Sequence, residues 1–421
     1  MKYFRTDGIR GEAYSEVTLQ LAYIIGMFFK DSEKSVVIGM DTRASSPDLA
    51  EALYKGLKGH KDVRFAGVIS TPGLMYYSLV NNCIAIMITA SHNPYKDNGI
   101  KIIDNGHKIT KSFTDEIEKF IDLNKDVFFV SDNERLEIDY SIINSYITFL
   151  KSRMVENDLK VLYDGANGAC SYILKELFSS NEIINCDPNG TNINDKCGST
   201  DLSSLIHELK VRKYDIGIAF DGDGDRIMVV DKYNRIYEGD FLTYIFAINL
   251  FEKNLLIGNT VVYTEIVNPG IIERLKDMGI DVVITEVGDH HISKALEREY
   301  VIGGESSGHI INKTILPFGD GLNNALELIK VLTDGKKKLH EYSFDVKFYF
   351  SKTINIYFKN DDFSISKKLK EKVEKYATKN KLYLILRKSG TEKAIRVFIY
   401  KKVNKGINKN INKIVKMIEN D

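Results

Sequence analysis

Apolar runs rich in β-branched residues alternate with segments of helical period along most of this chain. "SVVIGMD", "RFAGVI" and "CIAIMITA" read as buried strands, and "SPDLAEALYKGLKG" has the spacing of an amphipathic crossover helix. The alternation recurs in "LKVLYDGANGA", "EIINCDPNG" and "DIGIAFDGDGDR", with "SYILKELFSS" and "LSSLIHELKV" as helices between strands. A third round runs through "NTVVYTEIV", "GIIERLKDMG", "DVVITEVGD", "ISKALERE" and "YVIGGESSGH". After the basic stretch "DGKKKLHEY" the character changes. There "KFYFSKTINIYF" alternates like a strand, "DFSISKKLKEKVEKYATK" is helical, and "LYLILRKSGTEKAIRVFIY" is strand, loop, strand.

The pattern predicts an α/β protein with three consecutive α/β domains with mixed sheets, residues 1–140, 141–240 and 241–340, followed by a smaller α+β domain, 341–421. In open α/β sheets, ligands gather beyond the carboxyl ends of the strands. "ASHN", "DGDGDR" and "GGESSGH" each follow such an end, one per unit. Three unrelated polar loops in one topological position predict a single site shared between domains.

A chain of 421 residues exceeds what one hydrophobic core usually organises, which agrees with several domains. Lys and Arg number 58 and Asp and Glu number 58, so the broad positive footprint of a general nucleic-acid binder is missing. The four cysteines, Cys83, Cys170, Cys186 and Cys197, show no CxxC spacing, which signals neither a zinc site nor a disulfide scaffold and fits a reducing cytosol. No signal-type or membrane-length apolar run is found. The expectation is a cytoplasmic protein that acts on a small molecule, with no nucleic acid and no membrane. No motif points to a partner protein, and a monomer or homodimer is expected.

"DGDGDR" places Asp221, Asp223 and Asp225 at alternate positions, with small glycines that let the carboxylates turn onto one hard cation. An EF-hand loop is excluded, because its required glycine at position six is Arg226 and its bidentate glutamate at position twelve is Lys232. A strand also precedes the loop where an EF-hand has a helix. A Mg²⁺ with open positions binds phosphate oxygens, which points to phosphoryl chemistry. Ser91 of "TASHNPYKDNGIK" is by itself a turn residue. Beside His92 and Lys101, and with a metal-type loop elsewhere, it reads better as a nucleophile that carries phosphate.

"LRKSGTEKAIR" groups Arg387, Ser389, the backbone at Gly390, Thr391 and Arg396; a plain hairpin turn is the alternative, and the density of guanidinium, hydroxyl and amide donors favours a phosphate. "GGESSGH" supplies Glu305, Ser307 and His309, acceptors and donors suited to sugar hydroxyls, although such loops are common as turns.

In order along the chain, "TDGIRG", "TASHNPYKDNGIK", "DGDGDR", "GGESSGH" and "RKSGTE" resemble the α-D-phosphohexomutase superfamily. The resemblance covers essentially the whole chain and implies four domains around a central cleft. It implies a phosphorylated Ser91 as phosphoryl donor, Mg²⁺ held by Asp221, Asp223, Asp225 and the seryl phosphate, and sugar reading by Glu305, Ser307 and His309. Arg387, Ser389, Gly390 and Thr391 match the loop that holds the phosphate not being transferred. Arg10, Arg43, His92, Lys101 and Arg226 match positions around the transferring phosphate. "GTNINDKCGST" and "VGD" resemble the superfamily's phosphoglucosamine mutase branch, with the phosphomannomutase/phosphoglucomutase branches as the alternative. The chain departs from that branch at Arg5, His290 and Lys393. The implied reaction interconverts glucosamine 6-phosphate and glucosamine 1-phosphate, with glucosamine 1,6-bisphosphate as intermediate and activator.

Overall fold

The computed structural model describes residues 2–5, 7–129, 136–358, 366–388 and 394–419. Its first sheet has seven strands. Phe4–Arg5, Gly8–Glu12, Asp97–Asp104, Ile84–Ile88, Val36–Met40 and Val63–Val68 lie in that spatial order, with His107–Lys108 paired to Asp97–Asp104. Ile84–Ile88 runs parallel to Val36–Met40 and antiparallel to Asp97–Asp104, so the sheet is mixed. Every residue of Ile84–Ile88 is buried, as its unbroken apolar run requires of a strand covered on both faces.

The second sheet orders Ile236–Tyr237, Ile227–Asp231, Ile216–Phe220, Val161–Asp164 and Ile183–Ile184. The third orders Asp281–Thr285, Thr260–Thr264, Ile302–Gly304 and Ile310–Asn312. Both combine parallel and antiparallel pairs. The fourth, Phe350–Tyr357, Ala394–Lys401 and Tyr383–Lys388, is antiparallel throughout. It packs with helices Lys367–Lys379 and Ile407–Glu419 around its own small core of Val373, Val397, Ile399 and Ile414. The α/β expectation, three mixed-sheet units and a smaller α+β unit, is met.

One apolar core runs continuously through side chains of the first three units, from Leu74 and Met87 through Ile218 and Phe220 to Val261 and Leu326. Helix Tyr140–Arg153 connects them. It starts on the Asp139 side chain as N-cap, packs its Tyr146 and Phe149 rings against Tyr76, and sends the Tyr146 hydroxyl to Asp320 at 2.8 Å. The fourth sheet is joined to the third unit through Asn268, whose side-chain amide pairs with both backbone groups of Tyr349 at 3.0 Å. Among the described residues no helix is long and apolar enough to cross a membrane.

Candidate active site

Ser91 follows the strand Ile84–Ile88 in the left-handed region, at φ 53°. L-residues other than Gly avoid that region by roughly 1–2 kcal/mol, so both adjoining peptide groups must be held. On the amino side, the Ser91 N–H donates to Thr89 Oγ1 at 2.8 Å, and the Thr89 hydroxyl donates in turn to Asp41 Oδ2 at 2.7 Å. On the carbonyl side, Arg43 Nη2 donates to Ser91 O at 2.8 Å. The remaining free torsion carries the hydroxyl, which donates to Asp221 Oδ2 at 2.7 Å and lies 3.3 Å from His92 Nδ1.

Asp221, Asp223 and Asp225 follow the strand Ile216–Phe220 and are all buried, with one ligand atom from each within 4.8 Å of the others. The loop that carries them is held at three successive carbonyls, by the Ala169 N–H at Gly222, the Thr71 N–H at Asp223 and the Gly321 N–H at Gly224. Each of those donors comes from a different unit. Asp223 Oδ2 accepts from Thr71 Oγ1 at 2.7 Å and from Lys101 Nζ at 2.8 Å. Asp223 Oδ1 and Asp225 Oδ1 are buried with no hydrogen-bond partner. Unpaired buried carboxylate oxygens are costly unless a cation meets them. Two of them in one acidic cluster fit a divalent ion.

The electrostatics agree. Burial, then the Asp225 and Asp223 carboxylates, push the Asp221 carboxyl well above its usual range. Burial works the same way on Asp225, but Lys101, followed by His309 and Arg226, holds that carboxyl far below it. Burial also opposes charge on Lys101, yet Asp223, Asp7 and Asp225 keep its ammonium well above the ordinary lysine value. Arg226, and after it burial, holds the His92 imidazole down to about 3.

The third unit closes the site. Glu305, Ser307 and His309 lie between strands Ile302–Gly304 and Ile310–Asn312, and His309 forms a β-bridge with Arg226. The Glu305 carboxylate accepts from the Ser307 hydroxyl on one oxygen, and its other oxygen is buried without a partner. His309 points at carboxylates, with Nδ1 3.7 Å from Asp225 and Nε2 4.0 Å from Asp289. Arg10 reaches Asp7 at 3.4 Å and Asn93 at 3.5 Å, and Arg226 Nε lies 3.8 Å from Asp225.

The structure thus brings Ser91, His92, Lys101 and Arg10 together with Asp221, Asp223, Asp225, Arg226, Glu305, Ser307 and His309. Arg43 is placed differently from what the resemblance implies. It is 1% exposed, and its guanidinium is committed to Asp41 and to the carbonyls of Ser91, Asn93, Pro94 and Asp97, so it lies beneath the serine loop with no donor left for a ligand. Arg387 and Arg396 are register partners on adjacent strands of the fourth sheet. Ser389, Gly390 and Thr391 lie outside the described residues.

Sequence reading missed Thr71 and the ion pairs of Asp7 and Asp289, which Lys108 bridges. Asp7 and Asp289 stand inside "TDGIRG" and "VGD", yet nothing in their spacing marks them as partners. The signal at Thr71 was "STPG", a serine N-cap followed by proline, which announces only a helix start.

Residues 1–127, 144–234 and 238–347 match the alpha/beta/alpha domains I, II and III of phosphoglucomutase/phosphomannomutase. The chain belongs to that mutase family. Among curated relatives, phosphoglucosamine mutases from Fusobacterium nucleatum and Finegoldia magna are 37% and 38% identical, each aligned over 94% of both chains. A phosphoglucomutase/phosphomannomutase family protein from Burkholderia thailandensis superposes with a TM-score of 0.80 at 22% identity, covering 99% of this chain and 97% of that one. An Aspergillus fumigatus N-acetylphosphoglucosamine mutase, solved with GlcNAc-6P and magnesium, superposes with a TM-score of 0.66 at 16% identity, covering 99% of this chain and 95% of that one.

Proposed function

We propose that this chain interconverts glucosamine 6-phosphate and glucosamine 1-phosphate by way of a phosphorylated Ser91. The observation that carries the proposal is the contact of the Ser91 hydroxyl with Asp221, in an acidic cluster whose other members keep unpartnered buried oxygens. The amino-sugar assignment draws on the curated relatives, which are phosphoglucosamine mutases.

Mg²⁺ fits the cluster. Asp221, Asp223, Asp225 and an oxygen on Ser91 would hold it, and when bound it draws negative charge from the transferring phosphoryl group. In the first half-reaction the C1 hydroxyl attacks the phosphorus on Ser91. The new O–P bond forms as the bond to Ser91 Oγ breaks, and the product is glucosamine 1,6-bisphosphate. The net proton movement is from the sugar hydroxyl to Ser91 Oγ. His92, with Nδ1 3.3 Å from that oxygen, is in reach to pass it. Lys101, paired with Asp7, Asp223 and Asp225, supplies fixed positive charge. After the bisphosphate turns over, its C6 phosphoryl group returns to Ser91.

Glu305 and Ser307 read the sugar hydroxyls, with His309 set by Asp225. Arg387 and Arg396, together with Ser389, Gly390 and Thr391, hold the idle phosphate. The domains 1–140, 141–240, 241–340 and 341–421 each contribute one loop. Cytoplasmic operation agrees with four buried free cysteines.

The test is intact mass with peptide mapping, alongside turnover of glucosamine, glucose and mannose phosphates with Mg²⁺ and a trace of bisphosphate. Phosphate on Ser91, fastest conversion of the amino sugar and no turnover by Ser91→Ala are expected. Unchanged turnover by Ser91→Ala would overturn the mechanism. Fastest conversion of glucose or mannose phosphates would overturn the amino-sugar assignment and leave the mechanism standing.

A further inference from the structure

"GTNINDKCGST" belongs to the second unit and holds none of the residues assigned above, yet its Asn194 reaches the serine loop of the first. Asn194 Nδ2 donates to Ser91 O at 2.9 Å and to Asn93 O at 3.1 Å. Those two carbonyls are also the acceptors of Arg43 Nη2, at 2.8 and 2.9 Å. From this geometry we infer that Asn194 is a positioning residue for Ser91. It fixes the nucleophile's backbone from the second unit, as Arg43 does from the first. The inference rests on the reading of Ser91 as the phosphoryl carrier.

The loop around Asn194 is built to deliver that amide. Asn194 is itself left-handed, at φ 57°, and its N–H donates to Ala166 O at 2.9 Å. The buried Asp164 carboxylate accepts from the Ala166 N–H at 2.9 Å and the Gly198 N–H at 3.0 Å, tying both ends of the turn to the end of strand Val161–Asp164. The loop also docks on the first unit by its backbone, since the Ala44 N–H donates to Gly190 O at 2.9 Å. On the far side, a Cβ at Gly222 would come within 2.7 Å of Asn194 Nδ2 and 2.5 Å of Ser91 O. The amide is therefore held between the serine loop and the acidic loop.

The Thr89 hydroxyl already fixes the peptide on the amino side of Ser91. With Asn194 and Arg43 fixing the carbonyl side, the left-handed backbone has no soft torsion left, and the hydroxyl has one productive direction. Without the Asn194 amide, the Ser91 and Asn93 carbonyls keep one donor each, and the Ser91–Asn93 segment gains freedom to relax toward ordinary φ. The expected loss therefore falls on the transfer step rather than on sugar binding.

Three variants separate the hydrogen bond from the backbone preference. Asn194→Asp and Asn194→Gly both tolerate left-handed φ but cannot donate to the two carbonyls, and the exposed neighbour Asp195→Ala is the control. In both Asn194 variants kcat is expected to fall by roughly 10- to 100-fold, with KM changed less than about threefold. Hydrogen exchange of the peptide covering residues 88–98 is expected to quicken by about tenfold, with the rest of the chain and the melting temperature close to wild type. Wild-type exchange in that peptide for Asn194→Asp and Asn194→Gly would overturn the inference, and so would an undiminished kcat. If wild type converts no hexose phosphate at all, the proposed function fails. The exchange measurement then still decides whether Asn194 fixes the loop.

Discussion

Ser91 shows what a single residue needs in order to hold its side chain still in a left-handed turn: both flanking peptides bonded, and a carboxylate for the hydroxyl to face. That partner, Asp221, is the carboxylate least at ease in the site, because burial and two neighbouring carboxylates raise its proton affinity. Without a divalent ion the cluster therefore carries more negative charge than Lys101 and Arg226 relieve. Asp221→Asn is expected to leave the melting temperature of chelator-treated protein at or above that of wild type, while the rise on adding Mg²⁺ shrinks. Melts with and without Mg²⁺ measure both. An undiminished Mg²⁺-dependent rise would remove Asp221 from the cation site.

At the scale of elements, the hairpin that carries Glu305, Ser307 and His309 owes its shape to Gly308. That residue sits at φ +96°, and a Cβ there would come 2.2 Å from Ile227 O. Gly308→Ala is expected to lower unfolding stability by on the order of 1–3 kcal/mol or more. Gly279→Ala, also at positive φ but with nothing within 4 Å of a Cβ, is expected to cost about 1 kcal/mol. Urea denaturation of the two variants compares them directly. The contrast also marks how far the sequence could be read. Strands such as Val36–Met40 and Thr260–Thr264 are legible as unbroken apolar runs because both their faces are buried, and the helices at Ser46–Gly56 and Ser203–Arg212 because one-sided burial imposes a period of 3.6 on their side chains. The three polar loops were legible as strand ends. Strand Asp97–Asp104 was not, because "DNGIKIID" opens like a turn, and its first half is strand only because Gly8–Glu12 pairs with it. The true work of Arg43 was hidden as well, since a guanidinium bonded to carbonyls and one bonded to phosphate leave the same letter in the chain.

For the whole molecule, the joint between units sets buried polar contacts into a shared apolar core. The clearest is Tyr146 with Asp320, whose carboxylate also caps helix Gly321–Asp334 through the Asn323 N–H at 2.9 Å. Burial pushes the Asp320 carboxyl up to about 6, against the pull of the Asn323 N–H and Tyr146. An acid whose folded value is raised binds its proton more tightly when folded, so its contribution to stability is present below about pH 4 and is lost as pH rises through about 6. Asp320→Asn, which cannot ionise, is expected to gain on wild type between those pH values by on the order of 3 kcal/mol at most. Paired urea titrations at pH 4.5 and 7.5 measure the difference. A gap between the two proteins that does not change with pH would assign the pH dependence elsewhere.

The grip on the Ser91 carbonyl also has a consequence in time. A ribosome that has just made the first unit has released the serine, Arg43 and Thr89, but the amide of Asn194 and the carboxylates of Asp221 to Asp225 are still to be translated. At about 5–20 residues per second the gap is on the order of ten seconds. During that interval the emerging chain exposes a serine turn that lacks the second unit's amide and the carboxylates of the acidic loop. Its hydroxyl acquires that setting only when the second unit closes over it. A nascent fragment ending before residue 194 therefore has the serine turn without the amide and the carboxylates that set it.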